Sequence, residues 1–373
     1  MTQPLTVGVE EEFLLLDPVN GHVLGIAEQV YEAVPGPVRA LVQREFLTSQ
    51  IEIATPPSMT LDALRFSLDN LRVAVSDAAW RTGARLVAIG TGPVPGPQPE
   101  VTDNPRFHRM IERFGALWSS PGLCGCHIHV AVPDREEAAQ VLNHLRPWLP
   151  ILHAATANSP FYGGLETGYA SWRSQLWALW PSVGPTPYLH SAADYDRCVG
   201  RLVASGALLD EPMLYWYARL SSHYPTVEVR IGDVCLTVDD TLLLAALVRA
   251  LVTTLHDEVR AGRPAPQVDH QLLVAAHWRA ARDGLEGMAV DPYTGGLRPA
   301  WHVMRRLVDR VTPALEAYGD LGVVMLLLGR LRMRGTGAVR QRAAYERSGG
   351  DLPGMLGYLG ALTRGDAPGV RAA

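Results

Sequence analysis

TVGVEEEFLLLD, residues 6–17, places three consecutive glutamates inside an otherwise apolar run. The pattern predicts a β-strand, in which successive side chains alternate between the two faces. Glu10 and Glu12 then share one face, while Glu11 lies on the apolar face. Two carboxylates about 4 Å apart repel by roughly 4 kcal/mol at an effective dielectric near 20. The sequence therefore predicts a cation or a cationic ligand beside Glu10 and Glu12, and this strand is interpreted as half of a metal site.

Two further segments predict strands that carry a glutamate on a polar face. EFLTSQIEIATPP, beginning at Glu45, alternates so that Gln50 and Glu52 point the same way. SSHYPTVEVRIGDVCL places Glu228 and Arg230 on one face in the same manner. Strands that are far apart in sequence therefore present acidic side chains on their polar faces.

LCGCHIHVAVPD, from Leu123, predicts another strand, with His127 and His129 on one face. Cys124 and Cys126 lie on the other face, and their spacing is closer than that of structural zinc sites. A structural zinc site is therefore disfavoured, which leaves open a hydrogen-bonded core histidine pair and a role in the acidic site. The chain has 4 cysteines, too few for a disulfide scaffold, and we expect free thiols.

Turn signals and helical periodicity around these strands predict an α+β fold. Asn20-Gly21 is a hairpin signal after the first strand, so the sheet begins antiparallel. Strands that are polar on one side form a sheet with helices on the apolar face and an open polar face. Apolar residues spaced three and four apart predict helices near 60–75, 107–114, 134–152, 239–261, 267–283, 298–316 and 319–332.

The chain of 373 residues is 47% hydrophobic and carries a net charge of -5. We expect a single catalytic domain over 1–373, with sheet-forming motifs in 6–236, a mainly helical part in 239–362 and a flexible tail over 363–373. The charge gives no basic surplus for nucleic acid or anionic lipid, and the apolar runs are too short or too interrupted to span a membrane. A cytoplasmic protein that acts on small molecules is predicted, with no nucleic-acid or membrane partner, and a homo-oligomer is allowed.

All 33 basic residues are arginines, and the chain contains no lysine. This excludes the lysine of a P-loop, of a Schiff base and of a pyridoxal-phosphate site. Arg173 lies among three tryptophans, so core packing and a role in the site both stay open. The arginine-rich segment from Gly329 is typical of a solvated helix face, with an anion-binding loop as the alternative.

Carboxylate oxygens with one imidazole suit Mg²⁺ or Mn²⁺. Magnesium completes its coordination shell with water and with the phosphates of a substrate. The acidic face therefore predicts a site that also binds a nucleotide.

Several motifs extend from Val7 to about Arg342: GVEEEF, IEIATPP, GCHIHVAVPD, NSPFYGG with TGYASWRSQLW, VEVRIGDV and GAVRQR. Together they resemble the type 2 glutamate-cysteine ligases, also called carboxylate-amine ligases. The resemblance implies a glutamine-synthetase-like fold, in which a curved antiparallel sheet holds divalent ions between ATP and an amino acid. It also implies that ATP activates the side-chain carboxylate of glutamate as an acyl phosphate, which the amine of cysteine attacks.

The resemblance also implies roles for individual residues. The family's metal ligands match Glu10, Glu12, Glu52, His127 and Glu228. A catalytic arginine near the transferred phosphate matches Arg230. Further candidates for substrate or nucleotide binding are Gln50, His129, Arg173 and Arg340. One departure from many relatives is Gly92, where they have a histidine.

Two other classes of function stay open. A metal-dependent amide hydrolase would use similar side chains to activate water, although such sites need more imidazole and less carboxylate. A weakly active ligase or a binding protein for another amino acid or amine is the second alternative. ADP release that depends on ATP and both substrates would separate a ligase from the other classes.

Overall fold

The strands of the main sheet lie in the first 233 residues, and helices dominate from residue 238 onward. The structure is a computed structural model that describes residues 4–97, 100–119, 122–291 and 293–366. The strands are β1 (Val7–Leu16), β2 (Val42–Arg44), β3 (Gln50–Ala54), β4 (Arg85–Val87), β5 (Gly125–Ala131), β6 (Phe161–Tyr162), β7 (Leu165–Glu166), β8 (Ala218–Leu220), β9 (Thr226–Asp233), β10 (Met288–Val290) and β11 (Leu297–Pro299).

The helices vary from one turn to more than six turns in length. They are α1 (Ala27–Ala33), α2 (Gly36–Arg39), α3 (Leu61–Arg81), α4 (Pro105–Phe114), α5 (Arg135–Leu145), α6 (Leu149–Ala155), α7 (Trp172–Trp177), α8 (Ala192–Ala204), α9 (Val238–Arg260), α10 (His270–Asp283), α11 (Ala300–Tyr318), α12 (Leu321–Arg334), α13 (Gly337–Arg347) and α14 (Leu352–Arg364).

Antiparallel pairing joins the strands of the main sheet in the order β2-β3-β1-β5-β9-β8, and β4 also pairs with β1. The register places Glu12 opposite Glu52 and Glu10 opposite His127. On the next strand pair, His129 lies opposite Glu228. Because opposed residues on antiparallel strands point to the same face, the polar side chains of these strands converge on one side of the sheet.

The other face of the sheet is apolar and is covered by helices. The long helix α9 packs against β1 and β5, while α5 and α6 pack against β9. Glu11 points into this layer and is fully buried against Arg72 of α3, whose guanidinium makes two hydrogen bonds of 2.6 and 2.8 Å to it. The paired charges satisfy each other, which allows a glutamate on the apolar face.

Two predicted elements differ from the structure. The strand predicted from Glu45 begins only at Gln50, because residues 46–49 form a turn between β2 and β3. The helix predicted over 134–152 is split into α5 and α6. Pro147 explains the break, since it has no N–H to donate to the preceding turn of helix and its ring crowds the carbonyl there.

The remaining helices predicted from periodicity are confirmed, and the arginine-rich segment continues into α13. Residues 367–373, most of the predicted flexible tail, lie outside the described residues, and the single catalytic domain stays a prediction. All four cysteines are free thiols, as expected. Within the described ranges, no helix combines the length and the apolar character that crossing a membrane requires.

Candidate active site

A cavity of about 170 Å³ lies on the polar side of the sheet. β1, β3, β5 and β9 each contribute a polar side chain to its lining, respectively Glu12, Gln50, His127 and Arg230. Apolar and aromatic side chains from α4, from the turn that follows it and from α7 complete the wall. The acidic face is therefore enclosed at this point, and a ligand in the cavity would be partly shielded from water.

Three glutamates form an acidic triad beside this cavity: Glu12, Glu45 and Glu52, each with one oxygen within 4.8 Å of the others. Burial, and then the charge of Glu12, raises the pKa of Glu45 to about 7. Burial, and then the charge of Glu45, raises the pKa of Glu52 well above its usual range. In the described part of the chain, no arginine forms an ion pair with the triad. This unneutralised set of oxygen donors fits a hard divalent cation such as Mg²⁺.

A second group, the mixed cluster, contains Glu10, His129 and Glu228. His129 Nε2 is 3.4 Å from Glu10 Oε1, and its Nδ1 is 3.0 Å from Thr226 Oγ1. Glu228 accepts from Arg219 Nε at 2.7 Å as well as from Arg230. Although burial opposes ionisation, these two guanidinium groups hold the pKa of Glu228 at about 2. Because its negative charge is largely offset, the mixed cluster attracts a cation less strongly than the triad does.

His127 lies between the two groups. Its Nδ1 is 3.2 Å from Glu10 Oε2, and its Nε2 is 4.0 Å from Glu12 Oε1. Hydrogen bonds from His127 and His129 lower the pKa of Glu10 despite the opposing effect of burial. The imidazole of His127 is therefore in position to act with either group of carboxylates.

Two buried arginines line the same cavity and flank one tryptophan. The guanidinium carbons of Arg173 and Arg230 lie 4.9 and 5.8 Å from the Trp177 ring centroid. Arg230 donates to Glu228 at 3.1 Å, so the ion pair that a structural role would require is present. Within the described residues, the Nε atoms of both arginines are buried and make no hydrogen bond. Buried guanidinium groups with free N–H donors are suited to a phosphate or carboxylate ligand.

The remaining two candidates have different environments. Gln50 lines the cavity, and its Nε2 donates to the Leu123 carbonyl at 3.1 Å. Arg340 does not line it in the described part of the chain. Its NH2 group donates to Asp240 at the start of α9, at 2.7 Å. The geometry therefore brings Gln50, but not Arg340, to the acidic triad.

Comparisons with known proteins agree with this arrangement of motifs. The family model described as glutamate-cysteine ligase family 2 matches residues 6–356. A relative from Salinispora arenicola, described as "Putative glutamate--cysteine ligase 2", is 53% identical over 96% of this chain and 95% of its own length.

The chain belongs to glutamate-cysteine ligase family 2. The predicted family membership is thereby confirmed. A relative from Salinispora tropica with the same description is 52% identical over 96% of this chain and 95% of its own length.

Solved structures similar to this family member share its fold. A bifunctional glutathione synthetase from Pasteurella multocida aligns with a TM-score of 0.69 at 17% identity, over 97% of this chain and 52% of that one. A glutamate–cysteine ligase from Francisella tularensis, solved in complex with AMP, aligns with a TM-score of 0.67 at 13% identity, over 100% of this chain and 91% of that one. These likenesses confirm the predicted α+β fold class.

Sequence reasoning missed two charged residues of this site. Glu45 was not predicted because a continuous strand from Glu45 would put it on the face opposite Glu52, whereas the turn at 46–49 resets the alternation. Arg219 was missed because β8 has only three residues. Its Ala-Arg-Leu alternation is too short a signal to predict a strand.

Proposed function

We propose that this protein is an ATP-dependent carboxylate-amine ligase that joins glutamate to cysteine. The observation that carries the proposal is the presence, around one cavity, of an acidic triad without an arginine partner and of two buried arginines with free donors. The names of its relatives support the choice of glutamate and cysteine over other substrates.

The proposed reaction has two steps. An oxygen of the glutamate side-chain carboxylate attacks the γ-phosphorus of ATP, and ADP leaves. The amine nitrogen of cysteine then attacks the carbonyl carbon of the acyl phosphate, the bond from that carbon to the phosphate oxygen breaks, and phosphate leaves. The amine nitrogen releases its proton to a base, and the product is γ-glutamylcysteine.

The carboxylates of the chain would hold the divalent ion. The acidic triad of Glu12, Glu45 and Glu52 is the first candidate, and the mixed cluster is the second. Mg²⁺ or Mn²⁺ would neutralise charge on the phosphate oxygens of ATP. Because His127 contacts carboxylates of both groups, it is a candidate ligand for either.

The two arginines would divide the anionic parts of the substrates between them. Arg230 is adjacent to Glu228 and lines the cavity with Glu12, so we assign it to the transferred phosphoryl group. A planar guanidinium can stabilise charge spread over several phosphoryl oxygens. Arg173 is assigned to a carboxylate of an amino-acid substrate.

The test is to incubate the protein with ATP, Mg²⁺, a panel of acids and a panel of amines, and to measure ADP together with the mass of the product. The proposal expects ADP in equal amount to γ-glutamylcysteine, and only when both amino acids are present. Hydrolysis of an amide without ADP formation would instead support a metal-dependent amide hydrolase. Nucleotide binding without turnover on any pair of substrates would support a binding protein.

His127→Ala and His129→Ala form a matched pair of variants for the metal assignment. We expect His127→Ala to raise the Mg²⁺ concentration needed for half-maximal activity more than His129→Ala, because His127 also contacts the uncompensated triad. Calorimetry of Mn²⁺ binding provides a readout that does not depend on turnover. Equal effects of the two substitutions would refute the distinction between the histidines.

A further inference from the structure

Asp233, at the end of β9, is a fully buried carboxylate beside the candidate active site. Its Oδ2 accepts hydrogen bonds from the backbone N–H of Asn158 at 2.8 Å and from Ser159 Oγ at 2.7 Å. Its Oδ1 accepts from Ser171 Oγ at 2.8 Å. Neutral donors therefore satisfy both carboxylate oxygens.

These contacts fix the chain on the approach to Arg173. Ser159, which donates to Asp233, also accepts a hydrogen bond from the backbone N–H of Arg173 at 3.0 Å. Ser171 is two residues before Arg173 and precedes the first turn of α7. Asp233 thus holds two separate segments that meet at Arg173.

The contact between Asp233 and the Arg173 side chain is long. Arg173 NH1 is 3.8 Å from Asp233 Oδ1 and 3.4 Å from the carbonyl of Ile231. At this distance the negative charge of Asp233 offsets much of the cost of burying the guanidinium. Asp233 is nevertheless too far away to accept a short hydrogen bond from Arg173. Apart from the NH1 bond to the Ile231 carbonyl, the side-chain N–H groups of Arg173 make no hydrogen bond within the described residues, and they are available to another anion.

The packing around Arg173 limits where its guanidinium can lie. A Cβ at Gly125 would be 2.4 Å from Arg173 NH2, so a larger residue at this position would displace the guanidinium. On another side lies the Trp177 ring, 4.9 Å from the guanidinium carbon. The guanidinium therefore lies at the cavity wall in the space between Gly125 and the Trp177 ring.

We propose that Asp233 is a positioning residue: it offsets the charge of Arg173 and fixes the chain before it, while leaving the guanidinium N–H groups to bind the α-carboxylate of an amino-acid substrate. The inference rests on the proposed function for the reaction, but the binding of an amino acid tests it without turnover. The α-carboxylate could belong to the acid substrate or to the amine substrate, and the choice of ligands separates these sources.

The first measurement compares amino acids with analogues that lack only the α-carboxylate. Calorimetry would use glutamate against 4-aminobutyrate, and cysteine against cysteamine, with the wild type and with Asp233→Asn. The asparagine keeps the shape of the side chain, and Ser171 Oγ can accept from its amide as readily as it donated. Without its countercharge the buried guanidinium is no longer held in its place, so we expect binding of one amino acid to weaken about tenfold while its analogue binds unchanged. Tighter binding of the amino acid would show that Asp233 only offsets the charge of Arg173 and does not position it.

In turnover assays, Asp233→Asn should raise the KM of that same amino acid with little change in kcat or in the KM of ATP. Asp291→Asn is the matched control, because Asp291 is also buried and paired with an arginine, but that arginine, Arg306, does not line the cavity as Arg173 does. It should leave every one of these constants unchanged.

Ser171→Ala provides a second test if Asp233→Asn does not fold. Removing this hydroxyl frees Asp233 Oδ1 to accept from Arg173, so the same amino acid should bind more weakly and its analogue should not. The positioning role would be overturned if the variant bound the amino acid and its analogue with equally reduced affinity. It would also be overturned if kcat and the melting temperature fell while the affinity for the amino acid did not change. Absence of ADP release by the wild type would instead count against the proposed reaction, and the binding comparison would still decide the role of Asp233.

Discussion

Lowering the pH from 8 to 5 should destabilise the protein by about 2 kcal/mol through His153 alone. His153 of α6 and His277 of α10 are buried side by side, with their Nδ1 atoms 3.5 Å apart. Burial, and then the charge of Arg173, lowers the pKa of His153 from 6.5 to about 3. Burial, and then the other imidazole, lowers the pKa of His277 as well.

The sign follows from the depressed pKa of a base. Above pH 6.5 both the folded and the unfolded protein keep His153 neutral, so its effect on the free energy of unfolding is absent. As the pH falls from 6.5 toward 3, the unfolded chain binds a proton that the folded protein excludes, and stability is lost. At pH 5 the unfolded imidazole is more than nine-tenths protonated, which gives about 2 kcal/mol, and His277 adds a contribution of the same sign.

The assay is urea denaturation at pH 8, 7, 6 and 5 of the wild type and of His153→Gln. The variant should be less stable than the wild type at every pH. Its free energy of unfolding should, however, fall by about 2 kcal/mol less than that of the wild type between pH 8 and pH 5. Titrating groups other than His277, which lies beside residue 153, cancel in this difference because both proteins contain them. His302→Gln, which changes an exposed histidine, is the matched control and should keep the wild-type decline. The same pH dependence in the wild type and in His153→Gln would refute the reasoning.

Three substitutions test other parts of the molecule. Glu52→Gln should abolish ADP release and weaken Mg²⁺ binding without lowering the melting temperature, because in the metal-free protein burial and the charge of Glu45 already disfavour ionisation of Glu52. Full activity at ordinary Mg²⁺ would contradict the metal assignment. Arg230→Lys keeps the charge but loses the planar guanidinium, so kcat should fall about a hundredfold at an unchanged melting temperature. Normal turnover by this variant would show that Arg230 serves only as the ion-pair partner of Glu228. Glu11→Gln leaves Arg72 buried without its countercharge and should lower the free energy of unfolding in urea by about 3–5 kcal/mol, whereas a change below 1 kcal/mol would show that the pair is not needed.

The alternation of side chains along strands was predictable because it is a local property of the extended backbone. It placed Glu10 and Glu12 together on one face, and His127 and His129 on the face of the neighbouring strand. The same rule placed Glu11 on the apolar side, where the structure confirms it. Helix periodicity was equally local and identified α9–α12 with small errors at their ends.

Local patterns failed where a turn or a proline interrupted an element. The sequence predicted a continuous strand from Glu45, which placed this residue on the face opposite Glu52. The turn at 46–49 changes which side chains share a face and brings Glu45 into the acidic triad. Pro147 divides one predicted helix into two. Arg340 lies in an arginine-rich segment whose composition does not reveal that its partner is Asp240.

By itself, the sequence determined that several strands carry acidic, histidine and arginine side chains on their polar faces, because the two-residue period of a strand is fixed by the backbone. Tertiary structure alone decided which of those side chains meet. Strand register set Glu12 opposite Glu52, the turn at 46–49 added Glu45, and chain packing brought Asp233 to Arg173. Such contacts join residues far apart in sequence, and they depend on how turns and helices pack, which no local period specifies.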